Sequence, residues 1–212
     1  IYNTHKYWGK KPSELYEIII NTFAKKNSII CDPFVGSGVL PSICKKRGIN
    51  FSGCDLNPVA VDIANIFVNP PKKEIVEKIL ITLKKNCQDK INESYKIDKK
   101  KIISHIIWKN NKPKQVWIKN NSTKQFLKLN NNLREKIYFK KKILIQNFRD
   151  RKLQKNTRIN VESGQKVSDL FTARALNNID ILIGEINKLP LEQKKIAKFI
   201  LSSSLGQMSK MV

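Results

Sequence analysis

The stretch Asp32-Pro33-Phe34-Val35-Gly36-Ser37-Gly38 constrains this chain more than any other. It follows a short apolar run, Ser28-Ile29-Ile30-Cys31, that reads as a buried strand, and it precedes a helical pattern ending near Arg47-Gly48. Glycines at such a strand-to-helix turn adopt positive φ and let backbone approach a ligand closely. The helix start behind them presents unpaired N–H groups. Residues 50–55, Asn-Phe-Ser-Gly-Cys-Asp, read as the next strand, ending on a carboxylate 17 residues past Gly38. Pro12-Ser13 opens an earlier helix with Leu15, Ile18, Ile19 and Phe23 on one face. Another follows Asn57-Pro58 with Ala60, Ala64 and Phe67 along one side. Parallel strands joined and flanked by helices predict an α/β sheet.

The charge around this turn narrows the ligand. Asp55, at the end of the second strand, is placed to accept both ribose hydroxyls of an adenosine-containing molecule. A dinucleotide fingerprint needs glycine at position 41, where Pro41 stands, so NAD and FAD are disfavoured. A phosphate-binding loop ending in G-K-[ST] is absent as well, and Asp32 would repel phosphate. A cationic cofactor suits it better: S-adenosylmethionine carries a sulfonium and an α-ammonium. The bland alternative is an ordinary glycine turn with Asp32 as a helix cap.

The rest of the chain changes character. Pro70-Pro71 starts a helical stretch with Ile75, Ile79, Leu80 and Leu83. Isoleucine-rich, aromatic-containing runs at 102–108, 115–119, 137–139 and 143–148 alternate with Asn/Lys-rich turns, which predicts a small β-rich insertion. Helical period returns from Val167. Thr172 is a candidate N-cap for a helix through Leu176, Ile179, Leu182, Ile183 and Ile186, and residues 191–212 form a last helix after Leu189-Pro190. The organisation expected is therefore a cofactor-binding α/β region at 1–90, a basic β-rich insertion at 91–165 and a helical return at 166–212.

The insertion also concentrates the charge. Of a net +24, residues 96–160 carry 20 basic and 3 acidic side chains, a net +17. Lysine outnumbers arginine 35 to 6, as coding bias would produce, but bias would spread the charge evenly. The clustering points to a polyanion, most simply nucleic acid. Cys31, Cys44, Cys54 and Cys87 form no C-x-x-C pair, so no metal site is expected. The first three fall in apolar stretches and read as buried small hydrophobes. There is no signal-peptide pattern, and no apolar run approaches the roughly 18 residues of a membrane helix. A reducing cytoplasm and no membrane partner fit these features.

Asp32–Gly38 resembles motif I of amino-group DNA methyltransferases, usually D-P-F-x-G-S-G-T. Asp55-Leu56-Asn57-Pro58 is similar to their motif II region, and His5-Lys6-Tyr7-Trp8-Gly9-Lys10-Lys11-Pro12 to motif X. Val167-Ser168-Asp169-Leu170-Phe171-Thr172-Ala173-Arg174 resembles a V-x-D-L-F-T-x-R stretch of an adenine-specific subgroup, and Ser202-Ser203-Ser204-Leu205 a serine-rich helix start after it. The resemblance covers residues 5–70 and 166–212. It implies a Rossmann-like class I methyltransferase sheet, incomplete here, with seven strands in the family. It implies methyl transfer from S-adenosylmethionine to an exocyclic base nitrogen of DNA, adenine N6 first, in a restriction–modification setting. By that resemblance Tyr7, Lys11 and Pro12 border the cofactor. Asp32, Phe34, Gly36 and Gly38 hold its methionine end. Asp55 takes the ribose, with Leu56 and Asn57 beside the adenine.

Three departures accompany it. Val39 replaces the usual threonine after the glycine turn. The subgroup often carries a cysteine zinc ribbon where the insertion lies, but no cysteine follows Cys87. Folding there is therefore expected to rest on Trp108, Trp117, Phe126, Tyr138, Phe139 and Phe148. Finally, the family's [DNS]-P-P-[YFW] motif holds the flipped base. Asn69-Pro70-Pro71-Lys72 lacks the aromatic and lies too close to motif II, so it reads as a loop and no catalytic residue is assigned. The catalytic half is expected beyond Val212 or on a second polypeptide. An RNA base methyltransferase and a non-catalytic cofactor- and nucleic-acid-binding subunit are the alternatives.

Overall fold

The computed structural model of the chain describes residues 10–25, 27–97, 101–109, 112–120, 123–137, 145–155 and 161–210. They form a mixed α/β structure in two compact units. The first comprises the described residues of 1–79 with 190–206, the second those of 80–189 with 207–210.

In the first unit α1 (Ser13–Phe23) is followed by β1 (Ile29–Asp32), α2 (Val39–Arg47), β2 (Asn50–Gly53) and α3 (Pro58–Val68). β1 and β2 pair in parallel, with Ile29 opposite Asn50 and Asp32 opposite Gly53. The local signals are plain. Asn57 caps α3 by accepting the Val59 N–H at 3.0 Å, and Pro58 occupies the first turn, where a missing N–H is harmless. Gly48 ends α2 in the left-handed region, its N–H directed at the Cys44 and Lys45 carbonyls. The core gathers Ile20, Ile43 and Cys44 with Tyr16, Ile30, Val39 and Phe51 packed around them.

Several burial expectations fail here. Ile20 is the buried residue of α1, whereas Leu15, Ile18, Ile19 and Phe23 are exposed. β1 is not buried on both faces. Ile30 turns toward the helices, while Ile29 and Cys31 stay exposed because among the described residues no layer covers their side. Cys54, just past β2, is likewise exposed, with its thiol 3.7 Å from the Pro33 carbonyl. Only Cys44 of the first three cysteines is buried. Burial pushes the thiols of Cys44 and of Cys87 up.

The long helix α4 (Lys73–Tyr95) runs through the division between Ile79 and Leu80. In the second unit β3 (Ile102–Lys109), β4 (Lys112–Asn120) and β5 (Thr123–Leu127) form an antiparallel sheet, followed by α5 (Asn131–Ile137). Strands thus form within the stretch expected to be β-rich, though not over all the expected runs. β5 falls outside the apolar runs; Ile137 ends a helix rather than starting a strand; residues 138–144 lie outside the described ones; and 145–148 form no strand. The sheet's core is aliphatic, with Ile103, Val116 and Ile137 buried and Leu129, Leu133 and Tyr95 against them. Trp108 and Phe126 are exposed, Trp117 is half-buried, and Phe148 is half-buried in a loop. Among the described residues, none of the expected aromatics is fully buried. Tyr138 and Phe139 lie outside the described residues.

α6 (Ala173–Asn187) starts where Thr172 accepts the Ala175 N–H at 3.3 Å. The stretch before it is a short 3-10 turn, Val167–Leu170, in which Asp169 accepts the Lys166 N–H at 2.8 Å. The Arg174 guanidinium is buried and donates to the Ser94 and Ile137 carbonyls at 2.7 and 2.6 Å, with its Cζ 5.3 Å from the Tyr95 ring centre. The residues of the V-x-D-L-F-T-x-R stretch therefore cap, turn and anchor. α7 (Leu191–Met208) follows Pro190 and ends at Met208. No helix among the described residues is long and apolar enough to cross a membrane.

Candidate functional site

The turn from β1 to α2 is built by its glycines and two carboxylates. Gly36 (φ 54°) and Gly38 (φ 79°) both occupy the left-handed region. Gly38 has a second constraint: a Cβ there would lie 2.6 Å from the Ala64 Cα, so α3 packs directly on the turn. Asp32 folds back on the loop, accepting the Phe34 N–H at 2.8 Å. Asp55 reaches across from the end of β2. Its Oδ2 accepts the Gly36 N–H at 2.8 Å and its Oδ1 accepts the Asn57 N–H at 2.8 Å. Backbone bonds from Val35 N–H to the Cys54 carbonyl and from Cys54 N–H to the Asp32 carbonyl, both 3.1 Å, complete the clamp.

The two strand ends are thereby brought together. Each oxygen of Asp55 holds one backbone hydrogen and keeps acceptor capacity for another donor. Asp55 and Asp32 are half-buried, whereas Phe34 and Leu56 stand exposed beside them, at 83% and 102%. Exposed apolar side chains next to half-buried carboxylates suit a ligand with a flat apolar part and polar hydroxyls. Asn57 spends its carboxamide oxygen on capping α3.

The remaining candidates separate. Tyr7, with His5, Trp8 and Gly9, lies outside the described residues. Lys11 and Pro12 are exposed, Pro12 just ahead of α1. It is Lys10 that packs inward, its ammonium 5.0 Å from the Phe67 ring centre, and burial lowers its pKa. Tyr16 was not among the expected residues. Burial and then the Asp32 charge push its phenol up, so α1 brings an aromatic hydroxyl into the field of the site. Its spacing in a helical pattern marks it only as core-facing. Asn69-Pro70-Pro71-Lys72 is a loop: Asn69 closes α3 and accepts a hydrogen bond from the Lys45 ammonium. A separate cleft of about 730 Å³ lies along the outer side of β2, between Lys45, Phe51, Val61 and Asn65, and includes neither Asp32 nor Asp55. Among the described residues no group of three His, Cys, Asp or Glu side chains is placed to hold a metal ion.

The family comparison falls on this same region. Residues 2–66 match the DNA methylase family of N6 and N4 methyltransferases. The chain is 42% identical over 59 residues to the type II methyltransferase M1.MboII of Moraxella bovis, covering 28% of this chain and 23% of that one. It is 31% identical over 83 residues to the type II methyltransferase M.MjaII of Methanocaldococcus jannaschii, 39% of this chain and 16% of the relative. It is also 31% identical over 102 residues to the type II methyltransferase M.HpaI of Haemophilus parainfluenzae, 47% of this chain and 31% of the relative. The matched segments thus span less than a third of these relatives' lengths. No solved structure matches. The resemblance to amino-group DNA methyltransferases holds, and the segment that matches the family model carries the glycine turn and both carboxylates.

Proposed function

We propose that this chain is the cofactor-binding part of an S-adenosylmethionine-dependent DNA methyltransferase that acts on an exocyclic base amine, adenine N6 first. In this reading β1, α2, β2 and α3 begin a Rossmann-like sheet, and the ligand sits over the strand ends. The observation that carries it is the Asp55 carboxylate bridging the Gly36 and Asn57 N–H groups at a left-handed glycine turn beside a second carboxylate. The fit is chemical. Asp32 favours a cationic methionine end, Gly36 and Gly38 keep Cβ atoms out of the cradle, and Phe34 borders it. Asp55 has acceptor capacity left for ribose hydroxyls, with Leu56 and Asn57 at the adenine; by the motif X resemblance alone, Tyr7, Lys11 and Pro12 are assigned to border the cofactor.

When bound, S-adenosylmethionine supplies an electrophilic methyl on its sulfonium. The chain's own contribution is positioning. The basic residues of 96–160 hold DNA by its phosphates, and the P-P-aromatic element that grips the flipped base comes from outside these residues. Equilibrium dialysis tests the cofactor assignment. S-adenosylmethionine is expected to be retained and NAD not, with Asp32→Asn weakening retention. Equal retention of NAD, or no retention of S-adenosylmethionine, overturns it. A filter-binding series with duplex DNA should show affinity falling steeply with salt; a flat series argues against the phosphate role.

A further inference from the structure

The reading above uses the lysines of the β3–β5 sheet but not the aromatic side chains on its outer face. Strand alternation places Val116 and Ile118 in the core and Gln115, Trp117 and Lys119 on the opposite face. The register then builds a transverse row across all three strands, with His105 opposite Trp117 and Trp117 opposite Phe126. The two aromatic rings meet edge to face, centroids 5.6 Å apart and planes at 65°. Phe126 is 47% exposed, so a ring that could have entered the core presents its surface to solvent.

The charges around this row are of one sign. Lys119 stands directly opposite Lys124 on the same face as the aromatics, and Lys109 opposite Lys112 closes the other end of the sheet. Like charges directly opposite one another destabilise a strand pair. No acidic residue occurs between Asp98 and Glu135, a stretch with ten lysines and arginines, so the sequence supplies no internal counter-charge there. A like-charged lysine pair beside a partly exposed aromatic row suits a ligand that is both anionic and flat.

We propose that this face binds single-stranded DNA, with unpaired bases stacking on Trp117 and Phe126 and the backbone phosphates relieving the Lys119–Lys124 pair. Duplex DNA hides its base faces and would use only the lysines; an acidic peptide would leave the rings idle. The choice of DNA over RNA rests on the DNA-methyltransferase reading, whereas the stacking geometry does not.

The test is fluorescence anisotropy of a labelled oligothymidylate with the full chain, against a duplex of equal length, oligouridylate, and polyglutamate as competitor. Phe126→Leu and Trp117→Leu are expected to weaken oligothymidylate binding about tenfold each, leaving duplex binding unchanged, and Trp117→Phe to restore most of the loss. Lys119→Gln with Lys124→Gln should weaken both ligands and flatten the salt dependence. Phe126 is exposed, so Phe126→Leu keeps the test valid even if Trp117 variants unfold. Unchanged oligothymidylate affinity in Phe126→Leu, tighter binding of oligouridylate, or equal displacement by polyglutamate overturns the proposal. Retained S-adenosylmethionine separates the two readings. Cofactor binding with no aromatic effect sinks this one alone; an aromatic effect without cofactor binding sinks only the other.

Discussion

The glycine turn of the first unit and the lysine-bearing sheet of the second solve opposite electrostatic problems. At the turn, two carboxylates converge on backbone N–H groups, and the negative charge is held by short local bonds from Asp32 to Phe34 and from Asp55 to Gly36 and Asn57. At the sheet, lysines oppose lysines across strands with no carboxylate of the same stretch to answer them. One region stabilises its own charge and remains able to accept donors. The other sets like charges opposite one another across the strands. Under the proposed function the two regions take ligands of opposite sign, a cationic nucleoside at the first and a polyanion at the second.

The comparison breaks most sharply at Gly38. Adding a methyl there forces a left-handed non-glycine residue and places Cβ 2.6 Å from the Ala64 Cα. The two penalties together are expected to cost about 3–5 kcal/mol, measured by urea denaturation of Gly38→Ala followed by circular dichroism. A loss under 1 kcal/mol on the order of a surface substitution would mean the turn is not tightly packed. In the second unit the counterpart is Arg174→Ala. It leaves the Ser94 and Ile137 carbonyls without a buried charged donor, and a loss of about 2–4 kcal/mol is expected in the same assay. An unchanged midpoint would show that Arg174 is dispensable as an anchor, and would return the V-x-D-L-F-T-x-R stretch to a role other than folding.

How much of this was legible in the sequence follows from the range of each interaction. The glycine turn, the Asn57 and Thr172 caps and the Gly48 stop depend on residues a few positions apart, and each forms where the local pattern predicts. The joining of Asp55 to Gly36 was foreshadowed only as a shared crevice; the bond itself depends on parallel pairing of β1 with β2. Burial was less legible. Leu15, Ile18, Ile19, Phe23 and Ile29 look like core by hydropathy, yet exposure depends on what lies beside them, which periodicity does not encode. The aromatics of the insertion failed for a related reason. Trp117 and Phe126 share a face with lysines only because of the register, and a strand's two faces cannot be assigned inside or outside without knowing its partners.

A smaller effect sharpens the first half of the comparison. Asp55 has two tasks in the present reading, holding the loop and accepting a ribose. Asp55→Ala should weaken S-adenosylmethionine binding by about 1–3 kcal/mol in titration calorimetry, the loss expected for charge-assisted hydrogen bonds. Asp55→Asn keeps an acceptor for one backbone N–H and removes the charge. If it preserves the thermal midpoint but still binds weakly, the ribose task is real. If both variants bind as the parent does, Asp55 is only the loop clamp.

The smallest effect concerns a place in the second unit where a carboxylate does answer lysines. Glu185 on α6 is nearly buried and accepts the Lys188 ammonium at 2.7 Å and the Asn86 amide at 3.2 Å, with Lys90 at 3.9 Å. The hydrogen bond from Lys188 holds its carboxyl below the usual carboxylate range, burial opposes this, and the Lys188 charge, Asn86 and Lys90 add to it. A folded pKa below the unfolded one contributes stability that is fully present above the unfolded value, near 4.5, and is lost as pH falls through the folded value. Glu185→Gln should therefore lower stability by about 1 kcal/mol at neutral pH, a small figure because the lysine ends are solvated. It should also reduce the acid sensitivity of unfolding as pH falls below the unfolded value, near 4.5. Parallel pH profiles for parent and variant would show that this ion pair contributes nothing. The lysines of the sheet, with no such partner in sequence, would then differ from those of α6 in position alone and not in energetics.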